Sequence, residues 1–156
     1  MRFKALVSSI YSLQASRSQP WVFLSHGHLT VHNKGQAQID SLASQAAVGI
    51  VFVNSNSGDG YLSFDGNYGD GNNLTLWGNG DEPIPRVASS CNNTIVVMHS
   101  GGPVLVDAWY DHPSVTAIIW AGMPGQESGN SLVDVLYDKA PPSSKLPFTI
   151  GAARSD

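Results

Sequence analysis

The sequence predicts an α/β fold: a mostly parallel sheet with helices on both faces, a three-layer α/β/α sandwich. Three observations carry this. Apolar, β-branched runs recur at 48–54 (VGIVFVN), 94–100 (TIVVMHS) and 115–122 (VTAIIWAG). Each is apolar almost throughout rather than alternating, as a strand covered on both faces must be. Stretches with helical spacing lie between them, and strands that alternate with helices form parallel sheets through crossover connections.

In chain order, residues 38–47 (QIDSLASQAA) place Ile39, Leu42, Ala43, Ala46 and Ala47 at amphipathic helical spacing. The first buried strand follows at 48–54, and then a loop over 57–74 (SGDGYLSFDGNYGDGNNL) with five glycines and three aspartates. A short helix is expected after Pro83 and Pro85, since proline interrupts a helix interior. The second strand, 94–100, ends in Gly101-Gly102-Pro103, and 104–111 has helical spacing closed off by Pro113. The third strand precedes a helix over 127–138, with Leu132, Val133, Leu136 and Tyr137 facing inward. A last short strand is expected at 146–151. Residues 1–37 lack this rhythm and read as a separate N-terminal segment, 38–151 as the sandwich domain and 152–156 as a tail. The domain is thus expected to be truncated on its N-terminal side, with a sheet edge exposed.

A chain of 156 residues makes one domain with a substantial core. Its net charge of −4 gives no footprint for nucleic acid. No apolar run approaches the length of a membrane-spanning helix, so no membrane partner is expected. Arg2 and Lys4 precede a mildly apolar stretch, but Ser8, Ser9, Ser12 and Gln14 interrupt it, which makes an unconvincing signal peptide. Cys91 is the single cysteine, which rules out an intramolecular disulfide and reads as an inert or surface thiol. Asn73-Leu74-Thr75 and Asn92-Asn93-Thr94 are glycosylation sequons that matter on a secretory route.

The glycine-rich loop follows a buried strand, where parallel sheets usually bind ligands. As a calcium loop it fails. Starting at Asp65 puts Asp70 where glycine belongs and Leu76 where glutamate belongs, and starting at Asp70 fits no better. As a phosphate cradle it lacks the Walker lysine and the dinucleotide fingerprint. Neither calcium nor a phosphate group is therefore expected in the loop. His26, His28 and His32 could hold a transition metal, but bare spacing in a tail favours an ordinary loop. Ser100 lies outside any G-x-S-x-G elbow, so His99-Ser100-Gly101-Gly102-Pro103 reads as a strand-to-helix turn. His112, Trp109 and Trp120 read as turn or packing residues. Two readings of the loop stay open on residues alone. One is ordinary solvated surface; the other is a sugar-binding arm with Asp59, Asp65 and Asp70 beside Tyr61, Phe64 and Tyr68.

Several segments taken together decide more. VFVNSNSGDGY, GDGNNLTLW, NNTIVVMHSGGPVLVDAWYDHP, VTAIIWAGMPGQESGNSLVDVLY and SSKLPFTIG, in this order, resemble fungal β-glucosidases of glycoside hydrolase family 3. The resemblance runs over 38–151 and is to the second domain, an α/β sandwich that follows a barrel. It implies a retaining hydrolase of β-glucosides that needs no metal and no cofactor, secreted, active in cellulose and β-glucoside breakdown, with β-glucoside or glucose as ligand. The family nucleophile is an Asp of the barrel, and its acid/base is a Glu in a Ser-Gly-Glu-Gly loop of the second domain. Here that loop is Ser57-Gly58-Asp59-Gly60, so the resemblance assigns acid/base catalysis to Asp59 and substrate binding to Tyr61 and Asp70. Gly71 stands where the family pattern Gly-Asp-Arg has arginine. A barrel supplied elsewhere is an expected partner, and the chain alone is expected to be inactive. A non-catalytic sugar-binding or interaction module, or a gene-model fragment, is the competing expectation.

Overall fold

The computed structural model describes residues 21–25, 36–55, 60–61, 63–64, 67–68, 73–153 and 155. Its centre is a four-stranded parallel sheet in the order β1-β2-β5-β6, built from Trp21–Ser25, Val48–Ser55, Thr94–Ser100 and Val115–Trp120. The register runs Trp21↔Val48 to Ser25↔Phe52, Gly49↔Thr94 to Ser55↔Ser100, and Thr94↔Val115 to Met98↔Trp120. A bulge at Thr94/Ile95 skips Thr116, which turns its hydroxyl to Asn93.

The three layers follow from side-chain parity along the strands. Val51 and Val53 of β2, Val96 and Met98 of β5 and Ile118 of β6 share one core with Ile39, Ala43, Ile84, Val87, Ala88 and Trp109. These last come from α1 (Gln36–Ala43), α2 (Pro83–Ser90) and α3 (Asp107–Tyr110). Val48, Ile50, Ile95, Val97 and Ala117 point the other way, onto Leu132 and Leu136 of α4 (Ser128–Leu136). Gly49 lets α2 approach: a Cβ there would meet Val87 Cγ1 at 2.8 Å.

Several expectations need correction. Residues 21–25 form β1 and pair with β2, inside the stretch that carried no expected element. α1 covers 36–43 rather than 38–47, and Leu42 is exposed. α2 begins at Pro83 itself, because the first helical N–H groups have no intrahelical acceptor and proline loses nothing there. Over 104–111 only Asp107–Tyr110 is helical; Val104 and Val106 are buried two apart, a strand-like spacing, and the Leu105 N–H donates to the Leu74 carbonyl at 2.8 Å. No strand forms at 146–151, where Pro147 has no N–H to give a ladder. The segment packs by side chains instead: Phe148 meets Trp120 edge-on at 5.1 Å, and Ile150 packs against the larger core.

α4 also differs from its predicted packing. Leu132 and Leu136 face the sheet, but Val133 and Tyr137 are 43% and 57% exposed. One residue advances a helix by 100°, so the second pair lies beside the buried stripe, not in it. Asp138 ends the helix at φ 58, and the Lys139 N–H returns to the Asp134 carbonyl at 2.8 Å. The glycine-rich segment contains a small antiparallel pair, β3 (Ser63–Phe64) with β4 (Asn67–Tyr68).

Candidate functional site

The C-terminal edge of the sheet gathers the polar ends of the buried strands. β2 ends in Asn54-Ser55 and β5 in His99-Ser100, each pair opposite the other in register. Parity divides them between the two faces.

On the α2 side, Ser100 is fully buried and fully used. Its Oγ donates to the Gly102 carbonyl at 2.7 Å and accepts the Trp120 Nε1–H at 3.0 Å. The same indole N–H lies 3.1 Å from the Ser100 carbonyl. The hydroxyl therefore fastens the 99–103 turn to β6 rather than standing ready as a nucleophile, as the turn reading of that stretch expected. Trp109 is a packing residue too: its ring is buried, and its Nε1–H donates to Asp81 Oδ1 at 2.7 Å. Burial raises the Asp81 carboxyl above its usual 3.8, the Trp109 bond works against that, and the Asp107 charge adds to the rise. His112 is a turn residue, its Nδ1 accepting the Ser114 N–H at 3.2 Å.

On the α4 side the accounting does not close. Asn54 Oδ1 and His99 Nε2 are buried with no hydrogen-bond partner. Burial holds the His99 imidazole below its usual 6.5, since a charged ring would lose water without gaining a counter-ion.

The residues assigned from the sequence fall as follows. Asp59 and Asp70 lie outside the described residues, as do Gly71 and His26, His28 and His32. Tyr61 is described and 84% exposed, and Tyr68 of β4 is exposed on the same segment. Asn73 is exposed and its Oδ1 accepts the Thr75 N–H at 3.3 Å. Asn92 is exposed in the turn between α2 and β5, at the opposite edge of the sheet. Cys91 is 3% exposed, its Sγ within reach of the Ala46 and Asn93 carbonyls, so the inert reading fits and the surface one does not. Among the described residues no three His, Cys, Asp or Glu side chains gather as metal ligands, and no helix is long and apolar enough to cross a membrane. Asn54 and His99 were not singled out in the sequence. Their signal was there: each is the first polar side chain after an unbroken apolar run, at 54 in β2 and at 99 in β5.

The comparisons with known proteins complete the description. The profile of the glycosyl hydrolase family 3 C-terminal domain matches residues 2–156, and the chain belongs to that family. Beta-glucosidase 1 of Aspergillus aculeatus is 65% identical over 122 residues, which are 78% of this chain and 14% of that protein. A probable beta-glucosidase A of Neosartorya fischeri is 63% identical over the same length. Among solved structures, a family 3 beta-glucosidase of Neurospora crassa superposes with a TM-score of 0.74 at 58% identity, covering 79% of this chain and 15% of that one. The beta-D-glucoside glucohydrolase of Trichoderma reesei gives 0.73 at 43% identity, covering 78% and 17%. The chain therefore spans about one seventh of the length of the curated relatives it matches.

Proposed function

We propose that this chain is the acid/base-bearing domain of a β-glucosidase, which needs a barrel domain to act. The observation that carries the reading is the 65% identity to a beta-glucosidase over only 14% of that protein's length. Retaining hydrolysis of a β-glucoside needs two carboxyl groups about 5–5.5 Å apart, one as nucleophile and one as acid/base. Asp59 occupies the family's acid/base position, and the nucleophile belongs to the barrel. In the first step the protonated Asp59 carboxyl gives its proton to the leaving glycosidic oxygen as the barrel Asp attacks the anomeric carbon. In the second step the Asp59 carboxylate takes a proton from the water that releases glucose. Tyr61 offers a ring face to the sugar and Asp70 a hydroxyl acceptor. By the same family reading the protein is secreted, carries glycans on Asn73 and Asn92, and serves cellulose breakdown.

Asp59 is one methylene shorter than the family Glu, about 1.5 Å of reach. A misplacement near 1 Å can cost on the order of 100-fold in rate. The test is hydrolysis of an aryl β-glucoside by the purified chain, alone and co-expressed with the barrel part of a family 3 relative. No turnover is expected alone. Turnover in the complex should disappear in Asp59→Ala and rise about tenfold or more in Asp59→Glu. Robust turnover by the isolated chain, abolished by Asp59→Ala, would overturn the need for a barrel.

A non-catalytic sugar-binding role draws on one observation, the 84% exposure of Tyr61. Calorimetry with glucose separates the readings: millimolar binding by the isolated chain, lost in Tyr61→Ala, favours it, and no heat of binding excludes it.

A further inference from the structure

We propose that Asn54 and His99 are a positioning pair, the His99 Nε2–H donating to Asn54 Oδ1 across the end of the sheet. Three observations converge. The two residues are register partners on adjacent parallel strands, so their side chains leave the same face about 4.8 Å apart. Each has one buried polar atom without a partner, an acceptor on Asn54 and a ring nitrogen on His99. The strand face they share is apolar up to that point, with Ile50, Phe52, Ile95 and Val97 in or against the α4-side core. A buried carbonyl oxygen left unpaired loses its hydration without compensation, so a small side-chain rotation that joins the two groups is favoured. The oxygen needs a donor, and the imidazole across the register carries one in its Nε2–H form.

The pair lies where β2 ends, immediately before the segment that carries Asp59. It rests on the reading above only in this respect: if Asp59 is the acid/base, Asn54 and His99 position it by anchoring the strand from which its segment departs. Neither is assigned contact with substrate.

The experiment uses the isolated 156-residue chain and needs no glycosidase activity, so it stands or falls apart from the proposed function. NMR follows the titration of His99 in the chain and in Asn54→Asp. A carboxylate in place of the carboxamide should raise the ring's proton affinity about tenfold or more. Superimposable titration curves in the folded variant would sink the proposal. Should the new charge prevent folding, the His99→Gln and His99→Leu variants decide. Glutamine keeps an N–H donor of similar reach, so its urea midpoint should stay near that of the parent, while that of the leucine variant falls. Equal midpoints for the two variants overturn the pair.

Discussion

The two faces of the sheet end differently. Toward α2, Ser100, Trp120 and the Gly102 carbonyl satisfy one another, and the indole of Trp109 is held by Asp81. Toward α4, one strand further along the same edge, Asn54 and His99 leave two buried atoms unmatched. Their strand neighbours Ser55 and Ser100 belong to the opposite face, because parity alone decides which side a residue serves. The difference separates scaffold from candidate machinery. A closed hydrogen-bond account marks a face that only has to be stable, whereas an open one at the ligand edge of a parallel sheet points to work still to be done.

Four measurements press on that contrast, the first expected to be the largest. Trp109→Ala empties a buried indole volume and strands Asp81, and urea denaturation should show a loss of about 3–5 kcal/mol. A loss no larger than that of an exposed residue such as Val133→Ala would mean the α2 face is not the scaffold. Gly49→Ala drives a methyl against Val87 Cγ1, a β-branched side chain that is fully buried and cannot swing away. About 1–3 kcal/mol should be lost, and Val87→Ala in the same chain should restore part of it. Ser100→Ala removes two hydrogen bonds but leaves the Trp120 N–H its bond to the Ser100 carbonyl, so the loss should be near 1 kcal/mol.

The smallest effect is in pH. Asp81 is raised in the folded chain, so its contribution is complete below 3.8 and fades as pH rises through the folded value. His99 is lowered, so its contribution is complete above 6.5 and fades as pH falls toward the folded value. The two slopes have opposite signs, one above 3.8 and one below 6.5. Asp81→Asn should flatten only the acid one and His99→Gln only the one below 6.5, as followed by melting temperature against pH.

Much of this molecule was legible in advance. β2 and β5 were found almost to the residue because central parallel strands are apolar on both faces, and no other element of this length reads that way. Weaker signals misled where a local rule has an exception. Pro83 and Pro85 suppress a helix only in its interior, and α2 uses them in its first turn. Val104, Leu105 and Val106 satisfy helical spacing and strand spacing equally over three residues, and the bond from Leu105 to Leu74 decides between them. Val133 and Tyr137 cannot be assigned to the core without knowing which stripe of α4 the sheet covers. Trp21-Val22-Phe23-Leu24 is as apolar as the other strands but stands alone, with no helix rhythm beside it to frame it. For the candidate site, the family motif proposes Asp59, which lies outside the described residues. Asn54 and His99 could emerge only when the register laid one strand end against the other.

The place of Cys91 has a practical consequence. The sole thiol of the chain is sealed at the C-terminal end of α2, with its Sγ 3.6 Å from the position a Gly49 Cβ would take. A reagent such as a maleimide can reach it only when α2 lifts from β2. The rate of modification in native buffer is therefore a clock for that opening, readable without any label being introduced. The domain carries its own reporter of how firmly its helical cover is seated.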